Sequence, residues 1–134
     1  MTTKSLEKTI VDKMFLAFSA QNLDAAVATV SDDTVWIHHG TQKLPSLRFE
    51  GKSGVREFFN TNFTTMHAEY FDILKTIQQD DTVVVLGQEK FFIDGQEGYA
   101  AQKWVQVYTV KDGLITRMEE FATSREDSEY IIVK

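Results

Sequence analysis

Between Thr82 and Val110, two runs rich in Val, Phe, Tyr and Trp flank Asp94-Gly95, and no other stretch limits the fold so tightly. Asp-Gly between alternating apolar runs is the strongest short-range signal for a two-residue hairpin turn. A type I′ turn there sets Ile93 against Gln96 and Glu89 against Ala100. Side chains then sort by parity. Val83, Val85, Gly87, Glu89, Phe91 and Ile93 share a face with Gly98, Ala100, Gln102, Trp104, Gln106 and Tyr108. The other face carries Val84, Leu86, Gln88, Lys90 and Phe92 with Tyr99, Ala101, Lys103, Val105 and Val107. Both are apolar enough to need covering. A one-residue slip would exchange them, Glu89 included.

Ahead of the hairpin the chain reads as helices with one strand. Leu6, Ile10, Met14, Ala17 and Phe18 recur at helical spacing, widened by Val11 and Phe15, and predict a helix from about Ser5 to Ala20. Asn22 suits the N-cap of a short second helix over 23–30. Ser31-Asp32-Asp33 ends it, and a strand over 34–39 alternates Trp36 and His38 against Val35, Ile37 and His39. Residues 40–49 contain the only proline, Pro45, and read as a loop with a short extended piece at its end. Ser53 is placed to cap a third helix with the stripe Val55, Phe58, Phe59 and Phe63. A strand over about 68–78 puts Phe71, Ile73 and Ile77 on one side. Asp80-Asp81 and Lys111-Asp112-Gly113 make two further turns, the second leading into a last strand over 114–123. The tail from Ser124 to Lys134 begins charged and ends Tyr-Ile-Ile-Val-Lys. Helices and a strand followed by antiparallel strands make an α+β layout, with helices on one side of a meander.

A length of 134 residues fits one domain over 1–134, with its core at about 6–122 and a tail at 124–134. A net charge of −6 and scattered Lys and Arg argue against nucleic acid or an acidic membrane surface as partner. The absence of cysteine excludes thiol catalysis, thiolate metal sites and disulfides. The first residues alternate charged and apolar, unlike a signal peptide, so a cytoplasmic protein is expected. Ten Phe, four Tyr and two Trp point to an aromatic-lined interior or an interface.

Three segments, 20–38 (AQNLDAAVATVSDDTVWIH), 51–59 (GKSGVREFF) and 107–121 (VYTVKDGLITRMEEF), resemble the nuclear transport factor 2-like superfamily in the right order. The resemblance is to its SnoaL-like polyketide cyclase and ketosteroid isomerase branch, and it covers about residues 6–122. It implies a cone-shaped, curved, mainly antiparallel sheet wrapped around the N-terminal helix, with an apolar pocket at the open end. It also implies a homodimer through the convex face of the sheet. Activities in the superfamily range from isomerases and cyclases to members that only bind, so the fold does not settle function.

His38 falls where the resemblance places the isomerase carboxylate that moves the substrate proton, on the same side of its strand as Trp36. Imidazole titrates near neutral pH, so it shuttles a proton without a large shift. The plainer reading is a satisfied histidine at a strand end. Glu89 stands among apolar residues, where burial raises a carboxyl's pKa; the plainer reading is a solvated edge residue. Gln106 falls near the isomerase's second carboxyl and offers a weaker donor. Met14 stands where that enzyme has its tyrosine, which leaves Tyr70, Tyr99 or Tyr108 as substitutes. Met14, Phe18, Trp36, Phe59, Phe91, Gln102, Trp104 and Tyr108 are the expected ligand-binding residues.

Other signals fail. Gly51-Lys52-Ser53 lacks the glycine a P-loop needs at position 46, which is Ser46. His38 and His39 point to opposite faces of a strand and cannot chelate one metal. An Arg held between two Asp, as an epoxide hydrolase of this fold would want, cannot be assembled. No metal or cofactor is expected. Two readings stand: a pocket protein performing cofactor-free proton transfer on a hydrophobic carbonyl or aromatic compound, or a non-catalytic binding or dimerisation module. A protein-interaction module is the third.

Overall fold

A computed structural model describes residues 6–134, with side chains from residue 8 onward. Its elements are α1 (Leu6–Ser19), α2 (Leu23–Val27), β1 (Val30–His38), β2 (Leu47–Glu50), α3 (Gly51–Thr65), β3 (Met66–Gln79), β4 (Thr82–Ile93), β5 (Ala100–Lys111) and β6 (Leu114–Thr123). The strands form one sheet in the order β2-β1-β6-β5-β4-β3. Every neighbouring pair is antiparallel except β1 with β6. The α+β layout is as expected, and α1 and α3 cover one face.

The first helix follows its apolar stripe: Val11, Met14, Phe15 and Ala17 are buried. Its expected start at Ser5 and the side chain of Leu6 lie outside the described residues. Asn22 caps α2 as expected, its Oδ1 accepting from the Ala25 N–H at 3.1 Å. That helix is shorter than predicted because β1 takes over at Val30. In α3, Val55 and Phe59 are buried and Phe58 and Phe63 pack beside them. Ser53 is not its cap. The chain enters from Glu50 through Gly51 at φ 73°, so Ser53 lies inside the first turn.

The central hairpin differs from expectation in register but not in sidedness. Glu89 pairs with Gln102 and Phe91 with Ala100, so residues 94–99 connect the strands and the tip is no two-residue loop. Asp94-Gly95 does form a turn, Gln96 N–H donating to Ile93 C=O at 3.1 Å. Only Gly95 of the two takes a positive φ, whereas type I′ needs both. The Asp94 N–H instead donates to the Thr65 carbonyl at the end of α3, at 2.9 Å. The register moves by two residues, an even number, and parity survives. Val83, Val85, Phe91, Ala100, Gln102, Trp104, Gln106 and Tyr108 are all buried on the helix-facing side. A turn with the I′ pattern occurs at Asp112-Gly113, with φ 52° and 76°, where Lys111 pairs with Leu114.

Strand β3 corrects a second expectation. Phe71 and Ile73 pair with inward Glu89 and Gly87, but an irregularity between Ile73 and Lys75 inserts one residue. Thr76 then faces inward and Ile77 outward opposite Val84, so Phe71 and Ile77 do not share a side.

Gly87 and Trp104 are direct partners on β4 and β5. A Cβ on Gly87 would stand 2.1 Å from the Trp104 ring. That indole packs under α1, 6.5 Å from the Phe15 ring and 5.4 Å from Phe71. The tail begins docked, Tyr99 OH donating to Glu126 at 2.7 Å and Lys103 Nζ lying 3.4 Å from Asp127. It ends with Ile131, Ile132 and Val133 exposed.

Candidate functional site

Between the inner sheet face, α1 and α3 lies a cavity of about 490 Å³. Met14, Phe18, Trp36, His38, Phe59, Glu89, Phe91, Gln102, Gln106 and Tyr108 all line it. Trp104 does not. It belongs to the core beneath, because Gly87 lets its ring lie flat against β4. Phe15, Phe49, Phe58 and Phe71 complete an aromatic wall.

A polar row crosses three strands at one level. His38 on β1 pairs in register with Glu120 on β6, and Glu120 with Gln106 on β5. His38 Nδ1 lies 2.8 Å from Glu120 Oε2, and Gln106 Nε2 donates to Glu120 Oε1 at 2.8 Å. Tyr108 OH donates to Gln106 Oε1 at 2.5 Å. Because the carboxylate accepts, Nδ1 carries a proton, and in the neutral ring Nε2 keeps its lone pair. Nε2 is buried and has no hydrogen-bond partner. The ring is held by Phe58, stacked at 4.8 Å, and Phe49, edge-on at 5.9 Å. Two residues along the same strand face, the Trp36 indole N–H is likewise buried without a partner. One strand thus presents an acceptor and a donor, both uncommitted. Burial, and then the nearby Glu120, pushes the Tyr108 hydroxyl well up, so it stays a donor.

Glu89 stands on β4, three strands from His38. Gln102 Nε2 donates to its Oε1 at 2.7 Å. Burial raises its pKa from 4.5 to about 8, with a further push from the Glu120 charge. Gln102 and the leaning Trp104 indole offset part of this, although the indole N–H lacks the geometry of a formed hydrogen bond. Glu89 therefore holds a proton at neutral pH.

Gln106 gives one N–H to Glu120 and its oxygen accepts from Tyr108, which leaves its second amide N–H uncommitted. Tyr70 and Tyr99 are substantially exposed outside the cavity, and Tyr108, inside it, is committed to Gln106. Glu120 is the functional residue that sequence reasoning missed. Its signal was available: it sits two residues from Met118 on a strand and so shares that buried side chain's face. No arginine is among the described residues lining the cavity. Among the described residues no three His, Cys, Asp or Glu side chains gather as metal ligands. His39 points away from His38, to Glu119 at 2.6 Å. No helix among the described residues is long and apolar enough to cross a membrane.

Comparison with known proteins agrees with this architecture. No functionally curated protein matches the chain. Among solved structures, an NTF2-like protein from Burkholderia xenovorans LB400 superposes with a TM-score of 0.79 at 18% identity, over 92% of this chain and 94% of that one. TerC, co-crystallised with polyporic acid, gives 0.69 at 24% identity over 87% and 91%. A protein of ketosteroid isomerase-like fold from Catenulispora acidiphila DSM 44928, in complex with trimethylamine, gives 0.70 at 15% over 84% and 83%. These likenesses establish the fold. The SnoaL-like domain model matches residues 11–118, most of the chain, and with it the protein belongs to the SnoaL-like domain family, on an NTF2-like fold.

Proposed function

We propose that the protein binds a hydrophobic small molecule in this cavity and catalyses cofactor-free proton transfer next to a carbonyl. The observation that carries the reading is the pair of buried, unpartnered atoms on β1, His38 Nε2 and Trp36 Nε1, on side chains that line a mostly apolar cavity. His38 Nε2 takes a proton from the carbon beside the carbonyl, and the C–H electron pair moves onto the carbonyl oxygen. The Trp36 N–H donates to that oxygen. The imidazolium that forms is stabilised by Glu120, and return of the proton to the same or a neighbouring carbon completes exchange or isomerisation. Glu120, Gln106 and Tyr108 are positioning residues. Fold relatives captured with trimethylamine and with polyporic acid support a small-molecule pocket.

The test is deuterium incorporation, in heavy water, into a panel of hydrophobic cyclic ketones. The protein should accelerate exchange, and His38→Ala should abolish the acceleration while changing ketone affinity only a few-fold. Binding with no acceleration for any ketone would favour a non-catalytic binding module, for which the changed isomerase residues, Met14 and Gln106 among them, already argue.

The outer face of the sheet, with Phe92 and Phe121 exposed, supports a homodimer through that face. Light scattering that finds only monomer at micromolar concentration would remove it. The cytoplasmic compartment expected from the sequence belongs to the same proposal.

A further inference from the structure

We infer that the cavity takes a hydrophobic amine, held as its ammonium form by Glu89 and Gln102, with its apolar body among the phenyl rings. The inference rests on the reading of the cavity as a ligand site and names the class of ligand.

Charge is the first argument. The described lining residues include three carboxyl side chains, Glu57, Glu89 and Glu120, and no lysine or arginine. An anion entering would lose its water and find no opposite charge, whereas a cation finds one. The three carboxyls are not equivalent. Both oxygens of Glu120 are engaged, by His38 and Gln106. Glu57 is exposed. Glu89 accepts one hydrogen bond, on Oε1, from Gln102.

The second argument is an unmet hydrogen bond. Gln102 is 7% exposed, lines the cavity, and keeps a buried Oε1 that no donor reaches. Once the Glu89 proton has left, nothing in this corner donates to Gln102 Oε1. An ammonium group has three N–H bonds and no acceptor, so it satisfies Gln102 Oε1 and the Glu89 carboxylate together. A carbonyl or ether oxygen accepts from the protonated Glu89 carboxyl but leaves Gln102 Oε1 without a donor. Rings stand beside the carboxyl: Phe71 is the cross-strand partner of Glu89 and Phe91 lies two residues along β4. Their faces attract a cation further.

Proton balance makes the inference measurable. The titratable groups around Glu89 are Glu120 on β6, His38 on β1, Tyr108 on β5 and Glu57 on α3. In the empty cavity the Glu89 carboxyl carries its proton. An ammonium ion that enters pairs with the carboxylate, and the carboxyl proton leaves to solvent; no other bond changes. Glu89 is three strands across the sheet from His38 and four residues further along, since the His38–Glu120–Gln106 row meets β4 at Val85. The amine thus anchors one end of a ligand whose other end reaches the proton-transfer pair.

Calorimetry on the full chain at pH 7 with phenethylamine, phenethyl alcohol and phenylacetate, each in two buffers of different ionisation heat, tests this. The amine should bind at least about 10-fold tighter than the alcohol, with phenylacetate weakest, and should release up to about one proton. Glu89→Gln should erase the amine preference and the proton release yet still bind the alcohol, whereas His38→Ala should keep both. An alcohol that binds as tightly as the amine, or an amine preference that survives Glu89→Gln, overturns the inference and leaves the proton-transfer reading standing. Failure of all three compounds to bind overturns it as well, and ketone exchange then decides separately whether the cavity works on carbonyls.

Discussion

Two inward carboxyls, one buried and one half-buried, share the inner face of one sheet and meet opposite fates. Glu120 lies in register between a histidine and a glutamine, and each of its oxygens has a partner. Glu89 has Gln102 on one side and Phe71 on the other, and burial holds it protonated to about pH 8. The same face thus gives a fixed acceptor in one place and a neutral acid in the other: Glu120 has a partner for each oxygen, whereas burial, the largest influence on Glu89, outweighs its one donor.

The largest effect should come from breaking the satisfied side. Glu120→Ala leaves His38 and Gln106 without their shared partner, and urea denaturation should show a loss of about 3 kcal/mol, with ketone exchange abolished. Next comes the floor under the unsatisfied side. Gly87→Ala forces the Trp104 ring off β4, at about 1–3 kcal/mol, and tryptophan fluorescence should report the displacement. Unchanged fluorescence and stability would mean the close approach does not matter.

A change to Glu89 sharpens the comparison through pH. The native state keeps the Glu89 proton to about pH 8, while an unfolded chain releases it near 4.5. Between those values the native state binds more protons, so this residue's contribution favours folding most below about pH 4.5 and declines as pH rises to 8. Glu89→Gln should remove the decline, so the variant gains on the parent at pH 8–9, on the order of 1–2 kcal/mol after allowance for partial exposure, with little gain at pH 5. Equal melting temperatures across that range would count against a protonated Glu89. Trp36→Phe should cost about 1–2 kcal/mol, from the space left by a fully buried indole rather than from its unpartnered donor, and ketone exchange should fall about 10- to 100-fold.

Much of this contrast was legible before any coordinates. Alternation along 82–93 and 100–108 assigned the inward residues correctly, because parity depends only on the even spacing of a strand. The register itself was not legible. It turns on the Asp94 N–H being claimed by the Thr65 carbonyl, a contact between residues far apart in sequence, and no dipeptide preference contains it. Ile77 was misplaced for a related reason, since one extra residue near Leu74 inverts everything after it. Glu120 could be read from its distance to Met118, but its importance comes from β6 lying beside β1, a pairing that local pattern does not announce. Trp104 looked like pocket wall by face alone; the missing side chain at Gly87 is what draws it into the core.

The parallel seam between β1 and β6 also sets when the site can exist. His38 and Glu120 are separated by 82 positions, and their hydrogen bond crosses that seam. Helices and the antiparallel meander close through short loops, whereas the seam requires nearly the whole chain to be in place before any contact rewards it. The His38–Glu120 pair should therefore be among the last features to assemble. An emerging polypeptide that already displays its hairpins would still hold His38 without its carboxylate until β6 slides in beside β1.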